Sequence, residues 1–460
     1  MKIDDWLDLA TCPAERPGLD LMSAQTRELH QGIDEHIRAS GTAYLHPTDK
    51  TVQLDLLSSK QAIEWQEAKV AFLFEGNGCW SELPQLYGRY GTVDGHALVR
   101  EIRKLEDASS ALACDSGMQA TALVFDVLLE PGAHAVMFRQ VYNKTAKYLS
   151  WLAERVGGSV TIVDDGDLEG LARAIESKTT MVFAETYSNP LTRALDLERV
   201  PAIVAEARGK GCPRVKLVVD STIASCWGTR KPLLQSGIDV VILSGTKSLG
   251  GQDRDLGGFI ATNDSDLANA AMDLLAMRGG ILDWRRAAAF LEGLGEAKAA
   301  HLQRCQSATR VAEFLASHPG VKEVFHPSLP DHVDAEAIAR GYQRHGSLLS
   351  FRLPDGGEER AKTFSDALAT CLVVRYALSF DGLTTKVNHH KSVSEYFTPD
   401  TALARNGIDG LVRLGVGMED PEDICAALNW TLQHGVSLSS DQLAAWRTQR
   451  LGDLGLVESS

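Results

Sequence analysis

From Ser110 to Thr262 the chain alternates short, continuously apolar runs with longer stretches whose apolar residues recur every three or four positions. The runs are HAVMF, SVTIV, TTMVFAE, VKLVVD, DVVIL and GFIAT; helical stretches lead through Trp151, from Asp167 and through Ala205. Successive side chains of a strand point to opposite faces, so a strand apolar throughout must be covered on both. Amphipathic helices between the strands supply that cover. The pattern predicts an α/β fold, a mostly parallel sheet between two helical layers.

After about residue 285 the rhythm changes. The long helical stretch RRAAAFLEGLGEAKAAHLQRCQSATRVAEFLASHPG precedes VKEVFHP and the strand-like GSLLSFRL and GLVRLGVG, a succession that predicts a smaller α+β domain. The first 75 residues lack the βα rhythm and read as helical pieces, LMSAQTRELHQGIDEHIRAS and SSKQAIEWQEAKVAFLF. The expected organisation is an N-terminal arm over 1–75, a large domain over 76–285 and a C-terminal small domain over 286–460, with a short helix after Asp441.

A net charge of −15 without a basic block argues against a nucleic-acid surface. The opening MKIDDWLDLATC has acids where a signal peptide is basic and then apolar, and no apolar run reaches membrane-spanning length, so no membrane partner and a cytoplasmic location are expected. Eight cysteines, with no CxxC pair, predict neither a disulfide framework nor a metal site; most are expected to be small buried hydrophobes.

Three segments could carry chemistry. In DSGMQATALVFDVLLEPG, Met118, Ala122, Phe125 and Leu129 share a helical face behind Ser116 and Gly117, which form either a plain helix cap or an anion site. In ILSGTKSLGG, Ser244 and Thr246 flank Lys247 just past a strand's carboxyl end, where open α/β sheets bind ligands. Asp220 ends VKLVVD; it either caps the following turn or faces a cationic nitrogen. Anion cradle, lysine and acid are together the set that pyridoxal 5′-phosphate requires, and no GxGxxG offers a nicotinamide alternative.

These segments and their neighbours make the chain resemble the Cys/Met-metabolism family of pyridoxal-phosphate enzymes, from about Tyr87 to Asn429. The resemblance implies the PLP-dependent transferase fold type I. YGRYG resembles the family's Y-S-R, implying that Tyr87 and Arg89 reach the cofactor phosphate of a neighbouring subunit; SGM implies phosphate contacts from Gly117 and Met118. VYNKT resembles V-Y-G-G/C-T, which makes Tyr142 the residue that stacks on the cofactor ring and exchanges protons. ETYSNPL matches E-x-x-x-N-P-L, placing Asn189 near the cofactor's 3′-oxygen with Glu185 in support. VVDST resembles V-D-N-T, so Asp220 would pair with the ring nitrogen and Thr222 neighbour the ring. SGTKSLGG resembles S-x-T-K-Y-x-G-G, making Lys247 the Schiff-base lysine, with Ser244 and Thr246 on the phosphate. RLGVGMEDPEDI resembles R-L-S-V-G-x-E-D-P-x-D-L, so Arg413 would grip the substrate carboxylate, with Ser379 beside it.

The chain departs from the family at YGTVD, at AFLFEGNGCW, at Asn143 and Lys144, and at LSFDGLTTKVNHHKSVSEYFTP, where the pattern is S-L-G-G-x-E-S-L-I-x-H-P. His389 and His390 in that last segment are expected at the surface. Such segments line the substrate pocket in relatives, so the divergence bears on the substrate and not on the cofactor. The resemblance implies γ-elimination or γ-replacement on a sulfur amino acid or an activated homoserine, in a homotetramer of dimers that share active sites. The alternatives are a β-lyase on cystathionine or a cysteine conjugate, and a non-catalytic cofactor-binding partner protein.

Overall fold

The computed structural model describes residues 87–250, 253–354, 357–371, 373–435 and 438–453, with isolated helical positions between 59 and 67. The rest of the expected N-terminal arm and the AFLFEGNGCW segment lie outside the described residues.

All six apolar runs are strands. With Ser110–Cys114 they form a seven-stranded sheet: β1 (Ser110–Cys114), β2 (His134–Phe138), β3 (Ser159–Val163), β4 (Thr179–Glu185), β5 (Lys216–Asp220), β6 (Val240–Ser244) and β7 (Gly258–Thr262). The order is β1-β7-β6-β5-β4-β2-β3, with only β7 antiparallel to its neighbours. Among the described residues no helix separates β6 from β7, so the chain returns in the opposite direction. Consecutive residues enter opposite cores: Val219 and Val241 pack on one face, Val218, Val240 and Ile242 on the other. That is why these strands are apolar throughout, each buried valine contributing about 1.5–3 kcal/mol.

The helix Gly117–Leu128 lies between this sheet and the helix Ser265–Arg278. It is covered on two sides, so burial extends beyond the predicted face: Phe125 and Leu129 of that face are buried with Leu123 and Val124, whereas Met118 and Ala122 are half-buried. Cys226 and Cys371 are half-buried as well.

The smaller domain holds a five-stranded sheet of β8 (Glu323–Phe325), β9 (Leu348–Arg352), β10 (Val374–Tyr376), β11 (Thr385–His389) and β12 (Leu411–Gly415), ordered β10-β11-β12-β9-β8. The long helix Trp284–Ser317 ties the two sheets together. Its first half places Ala287, Phe290 and Ala297 in the large domain's core, and its second half places Ala308, Val311 and Leu315 in the small domain's.

The expectation of surface histidines at 389 and 390 is wrong. Both are 3% exposed: His389 ends β11, an interior strand between β10 and β12, and His390 opens the helix His390–Ser394, which packs against β11 and β12. The His389 ring lies 2.7 Å from Glu358 Oε2 through Nε2 and 2.7 Å from Ser392 Oγ through Nδ1. Burial, reinforced by the positive charge of Arg413, pushes His390 down to about 3; burial likewise holds His326 at about 3 and His301 at about 4.

A pH dependence of stability follows. These rings fold neutral, so stability is full above the free-histidine value of about 6.5 and is lost as pH falls toward the folded values. Each contributes about 1.4 kcal/mol per pH unit across that window. Urea unfolding at pH 7, 6 and 5 should show accelerating loss of stability, and His326→Gln should lessen the slope; equal slopes in parent and variant would contradict the assignment.

Candidate active site

The carboxyl ends of β1, β4, β5 and β6 lie at one edge of the large sheet, and the candidate residues gather there. Ser116 caps the helix Gly117–Leu128, its hydroxyl accepting from Gln119 N at 3.2 Å and donating to Asp115 Oδ1 at 2.9 Å. Gly117 meets the end of β6 so closely that a β-carbon would lie 2.8 Å from Ser244 Cβ and 3.1 Å from Ser244 Cα. Only glycine lets the helix N-terminus and Ser244 form one cradle, and such a cradle suits an anion. Ser244 N donates to Thr222 Oγ1 at 2.9 Å, and Thr222 N to Asp220 Oδ1 at 2.8 Å. These two bonds fasten the ends of β5 and β6 and turn Asp220 into the cap of its own turn.

Gly117→Ala should cost about 1–3 kcal/mol of stability by overpacking this contact. It should also weaken cofactor retention; dialysis with the visible absorbance followed would measure it.

In the parallel register, Glu185 on β4 lies beside Asp220 on β5. Burial and the Asp220 charge hold the Glu185 carboxyl well above its usual range. Asp220 is also raised, by burial, against the pull of its Thr222 hydrogen bonds. The Tyr142 backbone N–H donates to Glu185 Oε1 at 2.6 Å. Two carboxyls sharing one dry site cannot both ionise unless a cation joins them, and a protonated ring nitrogen is such a cation.

Lys247 lies past the end of β6. Its Nζ donates to Ser379 Oγ at 2.5 Å and stands 4.8 Å from the centre of the Phe380 ring. Burial lowers its amine to about 8. Arg413 on β12 donates from Nη1 to Asn189 Oδ1 at 3.2 Å and from Nη2 to Leu378 O at 2.8 Å. Burial lowers this guanidinium to about 10. Tyr142 caps the helix Asn143–Arg155, and its half-exposed ring lines a cavity of about 200 Å³ together with Asn189 and His390.

Not every candidate converges. The Thr246 hydroxyl is occupied in its own loop, accepting from Gly257 N at 3.3 Å. Tyr87 and Arg89 occupy an exposed turn with the guanidinium 4.9 Å over the tyrosine ring; among the described residues no hydrogen bond joins them to the Lys247 site. Met118 Sδ lies 3.9 Å from Thr145 Oγ1.

Sequence reasoning missed the residues behind Ser379. Phe380 underlies Lys247, and Asp381, at φ 61°, accepts from the Ser347 hydroxyl and faces Arg304 Nε at 3.7 Å. Arg304 comes from the long helix and is wholly buried. The pair links residues far apart in the chain, and no local spacing announces it. Among the described residues no group of His, Cys, Asp and Glu could hold a metal ion, and no helix is long and apolar enough to cross a membrane.

A sheet of this topology, with an anion cradle and a buried carboxyl pair at its carboxyl edge, is that of the fold type I enzymes that use pyridoxal 5′-phosphate. Within that class the chain belongs to the Cys/Met metabolism PLP-dependent enzymes, whose family pattern matches residues 70–433. It is 31% identical over 355 residues to L-methionine gamma-lyase of Fusobacterium nucleatum, covering 76% of this chain and 87% of that one. It is also 31% identical over 339 residues to cystathionine beta-lyase MetC of Bacillus subtilis, covering 74% and 83%. The crystal structure of metB from Corynebacterium glutamicum superposes with a TM-score of 0.72 at 26% identity, covering 91% of this chain and 99% of that one. The chain is therefore a PLP-dependent enzyme of the lyase and transferase kind found in cysteine and methionine metabolism.

Proposed function

We propose that this enzyme carries out γ-elimination or γ-replacement on a sulfur-containing amino acid or an activated homoserine. The observation that carries the reading is Lys247: an amine brought down to about 8 by burial, bonded to Ser379, beside a buried arginine suited to a carboxylate. When bound, pyridoxal phosphate supplies an electron sink for charge at the substrate's α-carbon.

The chain's own residues do the rest. The N–H groups of Gly117 and Met118 hold the phosphate with the Ser244 hydroxyl. Asp220 pairs with the ring nitrogen while Glu185 keeps its proton, Asn189 meets the 3′-oxygen, and Tyr142 covers the ring. Thr222 holds Asp220 in place, and Thr246 shapes the loop from which Lys247 projects. Arg413 clamps the substrate carboxylate through its fork, leaving the α-proton toward Lys247, which removes it, gives that proton up to the bound cofactor and, as a free amine again, takes a second proton from Cβ. Loss of the γ-substituent follows, with water or a thiol deciding between elimination and replacement. Tyr87 and Arg89, exposed in one chain, complete the phosphate site of a second copy, and the enzyme works as a cytoplasmic tetramer of such dimers. The large and small domains over 76–285 and 286–460 close on the substrate.

Ser379 in its LSF setting, with no tryptophan there, favours γ- over β-chemistry. Mass spectrometry of products from cystathionine, methionine, homocysteine, O-acylhomoserines and O-phosphohomoserine, with and without a thiol, tests this. 2-Oxobutyrate or a new thioether is expected; pyruvate from cystathionine would replace the reading with a β-lyase.

A further inference from the structure

Where the family pattern runs S-L-G-G-x-E-S-L, this chain runs from Ser379 to Lys386, so a lysine stands in a leucine's place. The register of the small sheet shows where it points. Asn388 opposes Arg413 and Lys386 opposes Gly415, so Lys386, Asn388 and Arg413 share one face of the sheet, the face turned to Lys247. Val387 and Leu414 point the other way, into the small domain's core.

On that face the Lys386 side chain is 8% exposed, and its ammonium is bonded to the carboxylate of Asp253, which belongs to the loop that follows Lys247. Both charged ends meet above Gly382, where they are the nearest neighbours a β-carbon would find. Gly382 closely follows Phe380, whose ring underlies the Lys247 amine. Only the lysine end is buried, the Asp253 side chain being 34% exposed, and such a pair adds little stability over an apolar residue of similar size, so a leucine would serve the fold as well. The pair's consequence lies instead in the field at its neighbour.

We propose that Lys386 and Asp253 are a positioning pair for Lys247, tying the loop beyond the reactive lysine to β11 and setting one positive against one negative charge beside its nitrogen. The inference rests on Lys247 being the lysine that carries the cofactor. Four charged groups act on that nitrogen: Asp381 and Asp253 favour its protonated form, Arg413 and Lys386 oppose it. Removing one member of the pair leaves the other uncompensated. Lys386→Met unmasks a carboxylate and favours protonation; Asp253→Asn unmasks an ammonium and disfavours it.

The test is a pH titration of the visible absorbance band of the full-length holoenzyme, after borohydride reduction and peptide mapping have identified the modified lysine. The midpoint should rise in Lys386→Met and fall in Asp253→Asn, each by about half a pH unit, threefold in the protonation equilibrium. It should return to the parent value in the double variant. Lys386→Arg keeps the charge and should keep the midpoint, which guards against misfolding of the methionine variant. Shifts of the same sign, or none, with the label on Lys247 would overturn the pairing and leave the reading of Lys247 intact. A label on another lysine would overturn both.

Discussion

A Lys247→Ala variant will fold and yet lose turnover by at least about a thousandfold, the scale of removing a positioned general base and its covalent role together. The fold should survive because the amine is held against a burial penalty that already lowers it to about 8, and its deletion strands only the Ser379 hydroxyl and the face of Phe380. Circular dichroism and thermal melting should match the parent, while borohydride should no longer fix the cofactor to the chain. A variant that keeps both label and turnover would remove Lys247 from the account.

Arg413→Lys comes next in size. The guanidinium sits between Asn189 Oδ1 and Leu378 O, with burial working against its charge, so a bound carboxylate is the partner that relieves the penalty. Lysine offers a point charge with no planar fork and cannot hold these two acceptors while meeting both carboxylate oxygens. Losing a desolvated, hydrogen-bonded charge contact costs about 2–5 kcal/mol, a fall of thirtyfold or more in kcat/KM. Most of it should appear as a higher KM, since the carboxylate is held in ground and transition states alike. The bound cofactor's absorbance should stay as in the parent. A fall confined to kcat would mean that Arg413 acts on the reacting bonds instead.

The large sheet was legible because every strand but β3, mostly exposed at the edge, is buried on both faces and so carries its signal in consecutive residues, as in Met181 to Ala184 and Leu217 to Val219. Lys247, Asp220 and Gly117 were legible because the carboxyl edge of a parallel sheet lets short motifs stand side by side. The small domain was less so. β11 reads Thr-Lys-Val-Asn-His, and polar residues that are buried because they face another domain look like a surface. Lys386 and Asn388 are such residues, whereas His389 lies on the opposite face, paired with Glu358 and Ser392 inside the small domain, a long-range partnership that no local spacing announces. The pairs Arg304–Asp381 and Lys386–Asp253 join distant parts of the chain, and neither is foreshadowed by spacing.

The central claim is that Lys247 takes a proton from the α-carbon and, having given it up, another from the β-carbon. It is tested most directly by incubating the holoenzyme with a slowly reacting amino acid in heavy water and locating deuterium in the recovered substrate by mass spectrometry. The account predicts label at both carbons with the parent enzyme and at neither with Lys247→Ala. Label confined to the α-carbon in the parent, or persisting at either carbon in the variant, would contradict it.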